Sequence, residues 1–272
     1  MPAPKTAIIA GKGALPGLLA ARLQADGTDF VIAEVEGFPM DTPAGLPVER
    51  FAIERLALLF DRLHDLGVGR VVFAGAVARP RLNPEQIDPK TAMLLPAILP
   101  ALQQGDDATL RAVIGLFEDE GFTVTGADAI APELLPDAGV LTKAQPDDRA
   151  RADAARAADI VAALGAADVG QGAVVAGGLC LAVETLPGTD AMLAWVAGLS
   201  ERPAGGVFYK APKPGQDRRI DLPTIGPGTV DAVRAAGLAG IVIEQGGVML
   251  LDPDRTRADA DAAGVFLWVR RP

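Results

Sequence analysis

The chain has few of the residues on which many enzyme sites depend. Its 272 residues include one cysteine, Cys180, and one histidine, His64. A single cysteine excludes an intrachain disulfide, and Cys180, in the apolar run Leu179–Val183, is expected in the core. Zinc enzymes commonly take two or three histidine ligands, and Ser–His–Asp hydrolases need one well-placed histidine. His64 falls in a helical pattern and is expected to be an ordinary helix residue, so neither type of site is favoured. Any catalysis must therefore come from carboxylates, lysines and arginines, together with a hard cation.

Aromatic residues, long apolar runs and excess positive charge are also scarce. Only 4% of the residues are aromatic, and 35 acidic against 25 basic residues give a net charge of −10. This balance argues against a nucleic-acid partner, which needs a broad basic face. No apolar run reaches the roughly 18 residues of a membrane span, and the segment before Gly11 is too short for a signal peptide. We expect a cytoplasmic protein without an integral membrane segment, built from one large or two smaller domains.

The first half of the chain alternates strand-like and helix-like segments. The apolar run Thr6–Ala10 ends at Gly11-Lys12-Gly13, and a helical pattern starts near Leu15. A strand, a glycine turn and a helix form the usual phosphate-binding entry of a doubly wound sheet. Pro16 stands where a dinucleotide fingerprint has its third glycine or alanine, so a plain tight turn is the alternative.

Further strands are predicted at Phe30–Val35, Val71–Ala74 and Phe122–Thr125, with a helix at Leu56–Leu63 between the first two. This alternation predicts a Rossmann-like domain over residues 1–130. Gly75, Ala76 and Arg79 follow the third strand, at the end where open α/β sheets bind ligands, although a surface arginine is an equal interpretation. Residues 84–102 are apolar but interrupted by prolines, which indicates either a buried helix or a hydrophobic flap. Asp106 is first explained as a helix cap.

The second half is predicted to be another α/β domain, over residues 150–272, after a linker at residues 131–149. An alanine-rich helix over Arg151–Leu164 is followed by two Gly-Gly pairs, at residues 177–178 and 246–247, each between strand-like segments. Such pairs indicate β-hairpins, so the domain is interpreted as two similar hairpin-containing units. Thr189 is a natural N-cap for the helix after the first hairpin.

The segment Lys210–Gly226 is the most distinctive part of the chain. Lys210, Lys213, Arg218 and Arg219 fall within ten residues, with Asp217 and Asp221 among them and three prolines stiffening the backbone. Local cations suit phosphate, and a carboxylate beside phosphate suits Mg²⁺. The alternative is a solvated surface loop with scattered ion pairs.

Six motifs in order along the chain carry a family resemblance. They are GKGALP at 11–16, FAGAVARP at 73–80, GDDATL at 105–110, DVGQGAVV at 168–175, GTDAML at 188–193 and KAPKPGQDRRIDLPTIGPGTV at 210–230. With them the chain resembles the LpxI-type UDP-2,3-diacylglucosamine pyrophosphatases of lipid A biosynthesis. The resemblance implies Mg²⁺-dependent hydrolysis of a pyrophosphate bond, giving UMP and 2,3-diacylglucosamine 1-phosphate (lipid X).

The same resemblance implies roles for individual residues. Asp221 is expected to be a metal ligand or to orient the attacking water, and Lys210, Lys213 and Arg219 are expected to hold phosphate. The expected substrate-binding residues are Gly11, Gly13, Leu15, Gly75, Ala76, Arg79, Asp106, Gln171, Thr189, Asp190 and Gln216. Two other functions remain open, a catalytically silent nucleotide-sugar binding protein and a nicotinamide-dependent oxidoreductase. Homo-oligomer formation and transient contact with the inner-membrane surface are also left open.

Overall fold

The chain folds into two units. The computed structural model describes residues 4–41, 46–78, 82–102, 106–219 and 222–272, with the backbone alone for residues 102, 106 and 107. The first unit comprises Met1–Pro132 together with Asp217–Asp221, and the second comprises Glu133–Gln216 and Leu222–Pro272. In the described parts of the chain, no helix is both long and apolar enough to cross a membrane.

The first unit is built on a parallel sheet. Its elements are β1 (Lys5–Ala10), α1 (Leu15–Ala25), β2 (Phe30–Val35), β3 (Val48–Phe51), α2 (Leu56–Asp65), β4 (Val68–Ala74), α3 (Pro89–Leu102), α4 (Asp106–Asp119) and β5 (Thr123–Thr125). Within the described residues the strand order is β3-β2-β1-β4-β5, with every pairing parallel. Strand β2 has the predicted bounds. Strand β3 was not predicted, because it lies at the edge of the sheet and its sequence, VERF, carries two charged residues.

Phenylalanines dominate the core of this unit. The ring of Phe117 meets Phe60 edge-on at 4.8 Å and Phe73 at 5.0 Å between centroids. Edge-to-face pairs of this kind add to the stabilisation from apolar burial. His64 lies half-exposed on α2 and stacks on Phe122 at 4.5 Å, which confirms its interpretation as a helix residue.

Of the two alternatives predicted for residues 84–102, the helix is confirmed as α3, but it is only partly buried. Leu94 and Ile98, four residues apart on one face, pack against the core of the first unit. The other side of α3 is exposed, with Met93 80% and Leu99 48% accessible to solvent. Helix α3 therefore presents an apolar surface to solvent.

The second unit contains a mixed sheet. Its elements are β6 (Gly139–Val140), α5 (Asp148–Ala166), β7 (Gly172–Ala176), β8 (Leu179–Val183), α6 (Gly188–Ala197), β9 (Val207–Lys210), β10 (Thr224–Ile225), α7 (Pro227–Ala235), β11 (Gly240–Glu244), β12 (Met249–Leu250), α8 (Pro253–Ala263) and β13 (Phe266–Arg270). Within the described residues the order is β6-β13-β11-β9-β7-β8. Strands β9, β11 and β13 run parallel, while β6, β7 and β8 pair antiparallel with their neighbours.

Both faces of this sheet are covered, because apolar residues at alternate positions of its strands point to opposite faces and each set packs against helices. Phe208, Ile241 and Ile243 belong to a core cluster with residues of α6, α7 and α8. The alternate positions Val207 and Tyr209 belong to a second cluster with α5. Helix α5 turns small residues such as Ala150, Ala154 and Ala157 to the sheet, which allows a close approach. A sheet buried on both faces provides a rigid base for the loops at its ends.

The two Gly-Gly pairs have different structures. Gly177 and Gly178 join β7 to the antiparallel β8, and their N–H groups donate to the buried carboxylate of Asp153 at 2.9 and 2.7 Å. The second predicted hairpin, at residues 246–247, is wrong. Strand β12 pairs in parallel with β10, whereas β11 lies between β9 and β13. The second unit is therefore not a repeat of one hairpin motif.

Cys180 is exposed, so its predicted core position is also wrong. The run Leu179–Val183 is apolar, but it forms β8 at the edge of the sheet, where Leu179 is 58% exposed. An apolar run alone cannot distinguish a central strand from an edge strand.

Candidate active site

In the first unit, the loops that follow β1 and β4 lie against each other. The N–H of Gly11 donates to the carbonyl of Ala74 at 2.8 Å, and Lys12 and Ala76 exchange two backbone hydrogen bonds of 2.9 Å. A Cβ on Gly75 would lie 2.6 Å from the carbonyl oxygen of Gly11, and Gly75 has φ +86°. Only glycine fits this approach. Strands β1 and β4 are adjacent where the strand order reverses, so the two loops share the ligand-binding edge of such sheets.

Helix α1 begins directly after the Gly11-Lys12-Gly13 loop. Its N-cap, Ala14, makes no side-chain cap, and its first turn carries no acidic residue, while Leu15 is buried at its start. Pro16 lies in the first turn, where a proline costs no intrahelical hydrogen bond. No N-cap side chain therefore occupies the N–H groups of this turn, and such groups are suited to bind an anion. Lys12 adds a cation, with Nζ 5.6 Å from the centroid of Phe38.

A buried carboxylate holds the neighbouring loop. Glu34, at the end of β2 and 2% exposed, accepts from the N–H of Met40 at 2.9 Å and from Arg50 Nε at 2.8 Å. Burial acts to raise the pKa of Glu34, but the hydrogen bonds and charge of Arg50 and the Met40 N–H outweigh it, so its pKa is lowered. Met40 forms an isolated β-bridge with Gly13. Glu34 thus anchors the segment beside the glycine loop.

The second unit gathers six of the predicted residues on the segments that flank β7, β8 and β9. They are Gln171, Thr189, Asp190, Lys210, Lys213 and Gln216. Lys210, the last residue of β9, is 7% exposed, and its Nζ donates to Thr189 Oγ1 at 2.6 Å. Thr189 in turn donates to Glu184 Oε1 at 2.7 Å. The predicted N-cap role of Thr189 is wrong, because Pro187 occupies the N-cap position of α6, without a side-chain cap, and the Thr189 hydroxyl donates to Glu184 instead.

The segment after β9 is held by side-chain amides and a second ion pair. Gln216 Oε1 accepts from Gln171 Nε2 at 2.8 Å and from the N–H of Lys213 at 3.0 Å. Lys213 Nζ lies 2.6 Å from Asp168 Oδ1, and Asp168 has φ +54°, a left-handed conformation that Asp tolerates. Asp190 is exposed in the first turn of α6, where a carboxylate is favourable. These contacts orient both lysines.

Arg219 groups with the first unit and is bound by two carboxylates. Its guanidinium donates to Asp217 at 2.7 Å through Nη2 and to Glu118 at 2.6 Å through Nη1. The hydrogen bonds that Arg219 donates raise its pKa, and the one to Asp217 has the largest effect. The same guanidinium lowers the pKa of Asp217. The charge of Arg219 is therefore balanced by two carboxylates.

Three predicted residues cannot be placed in these clusters. Arg79 and Asp221 lie outside the described residues, and Asp106 begins α4 without a described side chain. Among the described residues, no group of three or more His, Cys, Asp or Glu side chains could hold a metal ion. Sequence reasoning did not single out Glu184, whose one signal is a carboxylate at the end of an apolar strand, five residues before Thr189.

Taken together, this is a two-unit α/β protein. Its first unit has paired glycine loops and a helix N-terminus without a side-chain cap, and its second has two oriented lysines among hydroxyl and amide side chains. Such groups suit the oxygens of phosphate esters.

Comparisons with known proteins assign the family. The model of the LpxI N-terminal domain matches residues 5–134, and that of the LpxI C-terminal domain matches residues 137–268. The chain is 40% identical over 269 residues to the UDP-2,3-diacylglucosamine pyrophosphatase LpxI of Caulobacter vibrioides, covering 97% of this chain and 96% of that protein. The chain belongs to the LpxI family.

Proposed function

We propose that the chain is a UDP-2,3-diacylglucosamine pyrophosphatase, which produces UMP and 2,3-diacylglucosamine 1-phosphate for lipid A biosynthesis. The observation that carries the proposal is the match to both LpxI domains in order, with 40% identity to a curated LpxI over 97% of the chain. The presence of Lys210 and Lys213, each held by a hydrogen-bonded carboxylate or hydroxyl, supports it.

In the proposed reaction, water attacks the phosphorus of the β-phosphate. The bond from that phosphorus to the bridging oxygen breaks, UMP leaves with the bridging oxygen, and the water oxygen stays on the lipid phosphate. Negative charge grows on the phosphate oxygens and the leaving group, and preorganised cations stabilise it. Lys210 and Lys213 are the described residues to which we assign this stabilisation.

We assign Asp221 the role of metal ligand or water-orienting base, on the family resemblance of its motif. The described residues form no protein-only metal cluster. Mg²⁺ is often bound by one or two carboxylates together with substrate phosphates, so one aspartate is compatible with Mg²⁺ chemistry. Mg²⁺ bound there would neutralise charge on the pyrophosphate. Arg219 is paired with Asp217 and Glu118, so two carboxylates balance its charge, and it would contact phosphate through the N–H groups that these pairs do not use.

We further propose that the first unit is Rossmann-like and binds a phosphate-containing part of the substrate at the loops after β1 and β4. The support is the order β3-β2-β1-β4-β5, with both glycine loops at the point of reversal. Gly11, Gly13, Leu15, Gly75 and Ala76 would contribute backbone groups. A cytoplasmic location and transient contact with the inner membrane complete the proposal.

The deciding experiment incubates the purified protein with UDP-2,3-diacylglucosamine in ¹⁸O-labelled water, with Mg²⁺ or with EDTA. The expected products are UMP and a lipid phosphate that carries the label, formed only with Mg²⁺. Binding without product would favour the silent nucleotide-sugar binding protein. Label in UMP would contradict attack at the β-phosphate, and a change in NADH fluorescence on mixing would favour the oxidoreductase.

A further inference from the structure

Glu184 is a nearly buried acid directly after β8. Its side chain is 12% exposed, and its backbone N–H donates to the carbonyl of Gly172 at 2.8 Å. Oε1 accepts from Thr189 and lies 3.5 Å from Lys210 Nζ. The other oxygen, Oε2, is buried and has no hydrogen-bond partner among the described residues.

Gly172 leaves the space that this carboxylate occupies, and Gly170 leaves space for the backbone of Glu184. A Cβ on Gly172 would lie 2.8 Å from Glu184 Oε2, and a Cβ on Gly170 would overlap the carbonyl oxygen of Glu184. A buried carboxylate with one unpartnered oxygen costs free energy, so a fold selected for stability alone would not favour it. Arrangements that break a local rule in this way are expected at functional sites.

The hydrogen bonds run in one direction through Thr189. A hydroxyl has one proton, and Thr189 donates it to Glu184, so a lone pair of Oγ1 is left to accept from Lys210. A lysine ammonium on its four-carbon stem otherwise has many orientations. The Thr189 hydroxyl and the Glu184 charge together restrict the ammonium to one of them. Without Glu184 the hydroxyl could rotate and donate elsewhere.

We propose that Glu184 is a positioning residue that acts through Thr189 to hold the Lys210 ammonium in its phosphate-binding orientation. The inference rests on the proposed function, in which Lys210 contacts a phosphate of the substrate. The described residues use one of the three ammonium donors in a short hydrogen bond, which leaves the others for phosphate oxygens. Glu184 itself does not touch the reacting atoms.

A double-mutant cycle tests the proposal. Glu184→Gln, Lys210→Met and the double variant are compared with wild type for kcat/KM with UDP-2,3-diacylglucosamine and for UDP affinity by calorimetry. We expect Glu184→Gln to lower kcat/KM about 10- to 100-fold, and to have no further effect once Lys210 is Met. Asp259→Asn, which removes another 3.5 Å ion pair in the second unit, is the control and should match wild type.

Two results would overturn the proposal: unchanged kinetics and affinity for Glu184→Gln, or an equal loss in both backgrounds, which indicates a general structural role. The double variant leaves no unpaired charge, so it stays informative if Glu184→Gln alone folds poorly. A wild type that binds UDP but does not hydrolyse the substrate would refute the proposed function only. The same cycle on UDP affinity would then decide the role of Glu184.

Discussion

The cationic side chains of the segment after β9 differ in their partners. Lys210 is paired with Glu184 through an ion pair of 3.5 Å, and Lys213 with Asp168 through one of 2.6 Å. Arg219 is held by both Asp217 and Glu118. Each lysine is thus paired with one carboxylate, whereas the charge of Arg219 is balanced by two. We expect the two lysines to contribute more to phosphate binding than Arg219 does.

Asp217→Asn should lower stability in a pH-dependent way. The Asp217 side chain is 20% exposed and accepts from the Arg219 guanidinium, which lowers its pKa below the ordinary value of 3.8. A lowered folded-state pKa gives stability that is complete above pH 3.8 and is lost as pH falls through the folded-state pKa. We expect the variant to lose roughly 1 kcal/mol of unfolding free energy at pH 7. The loss should become smaller as the pH falls below 3.8 towards the folded-state pKa of Asp217.

Urea unfolding at several pH values between 7 and 3 checks this expectation. Asp231→Asn is the control, because Asp231 is paired with Arg234 at 3.5 Å but its side chain is 70% exposed and lies outside the first turn of α7, and it should leave stability unchanged. Equal stability of Asp217→Asn and wild type at pH 7 would show that the contacts with Arg219 add nothing to the fold.

Asp221→Asn should abolish most turnover while it preserves much of the binding. If the carboxylate holds Mg²⁺ or orients water, its loss lowers kcat by on the order of 10²–10⁴. UDP affinity should change less, since Lys210 and Lys213 remain. Steady-state kinetics with saturating Mg²⁺ and calorimetry with UDP measure the two effects. Asp231→Asn, at an exposed site on α7, is the control, and near wild-type kcat for Asp221→Asn would make Asp221 a turn residue.

At the scale of elements, the contact between the loops after β1 and β4 depends on glycine. Gly75→Ala should destabilise the first unit by about 1–3 kcal/mol, because φ +86° strains an alanine and its Cβ would press on the Gly11 carbonyl. The affinity for UDP should fall with it if phosphate binds there. Urea unfolding followed by circular dichroism gives the stability change.

Gly115→Ala is the control for this prediction. Gly115 lies inside α4, and a Cβ there would meet nothing within 4 Å. Alanine is the better helix former by roughly 0.5–1 kcal/mol, so this variant should be at least as stable as wild type. A Gly75→Ala protein with the same stability would mean that the two loops move apart without cost.

At the scale of the whole molecule, the acyl chains of the substrate should be needed for efficient turnover. Helix α3 exposes apolar side chains, among them Met93 at 80% and Leu99 at 48%. Burial of acyl methylenes is worth about 0.8 kcal/mol each, and such remote binding energy can position the phosphate. We expect kcat/KM for the diacylated substrate to exceed that for UDP-N-acetylglucosamine by at least about 100-fold.

Met93→Gln should reduce this preference, whereas Leu58→Gln should not. Leu58 is 44% exposed on α2 and so matches Met93 as an accessible apolar residue on a different helix. Comparable kcat/KM for the two substrates in the wild type would refute a role of the acyl chains. An equal effect of the two variants would show that α3 does not bind the acyl chains.

Local sequence patterns were sufficient to predict much of the first unit. The apolar run at Phe30–Val35 is β2, and the stripe Leu56, Leu59, Phe60 and Leu63 is the buried face of α2. These predictions succeed because a strand or helix that buries one face must repeat apolar residues at its own period. The family could also be predicted from the sequence, and the matches to both LpxI domains confirm it.

The sequence by itself determined the α/β class, the family and most residues of the two clusters. Only the tertiary structure decided which strand is an edge, as for the exposed Cys180 on β8, and which β-strand β12 pairs with. It also decided that Arg219 is bound by acids and that Glu184 holds Thr189 beside Lys210. Strand partners and side-chain pairs join residues far apart in the chain, and the energies that choose them appear only when the packed core brings those residues together.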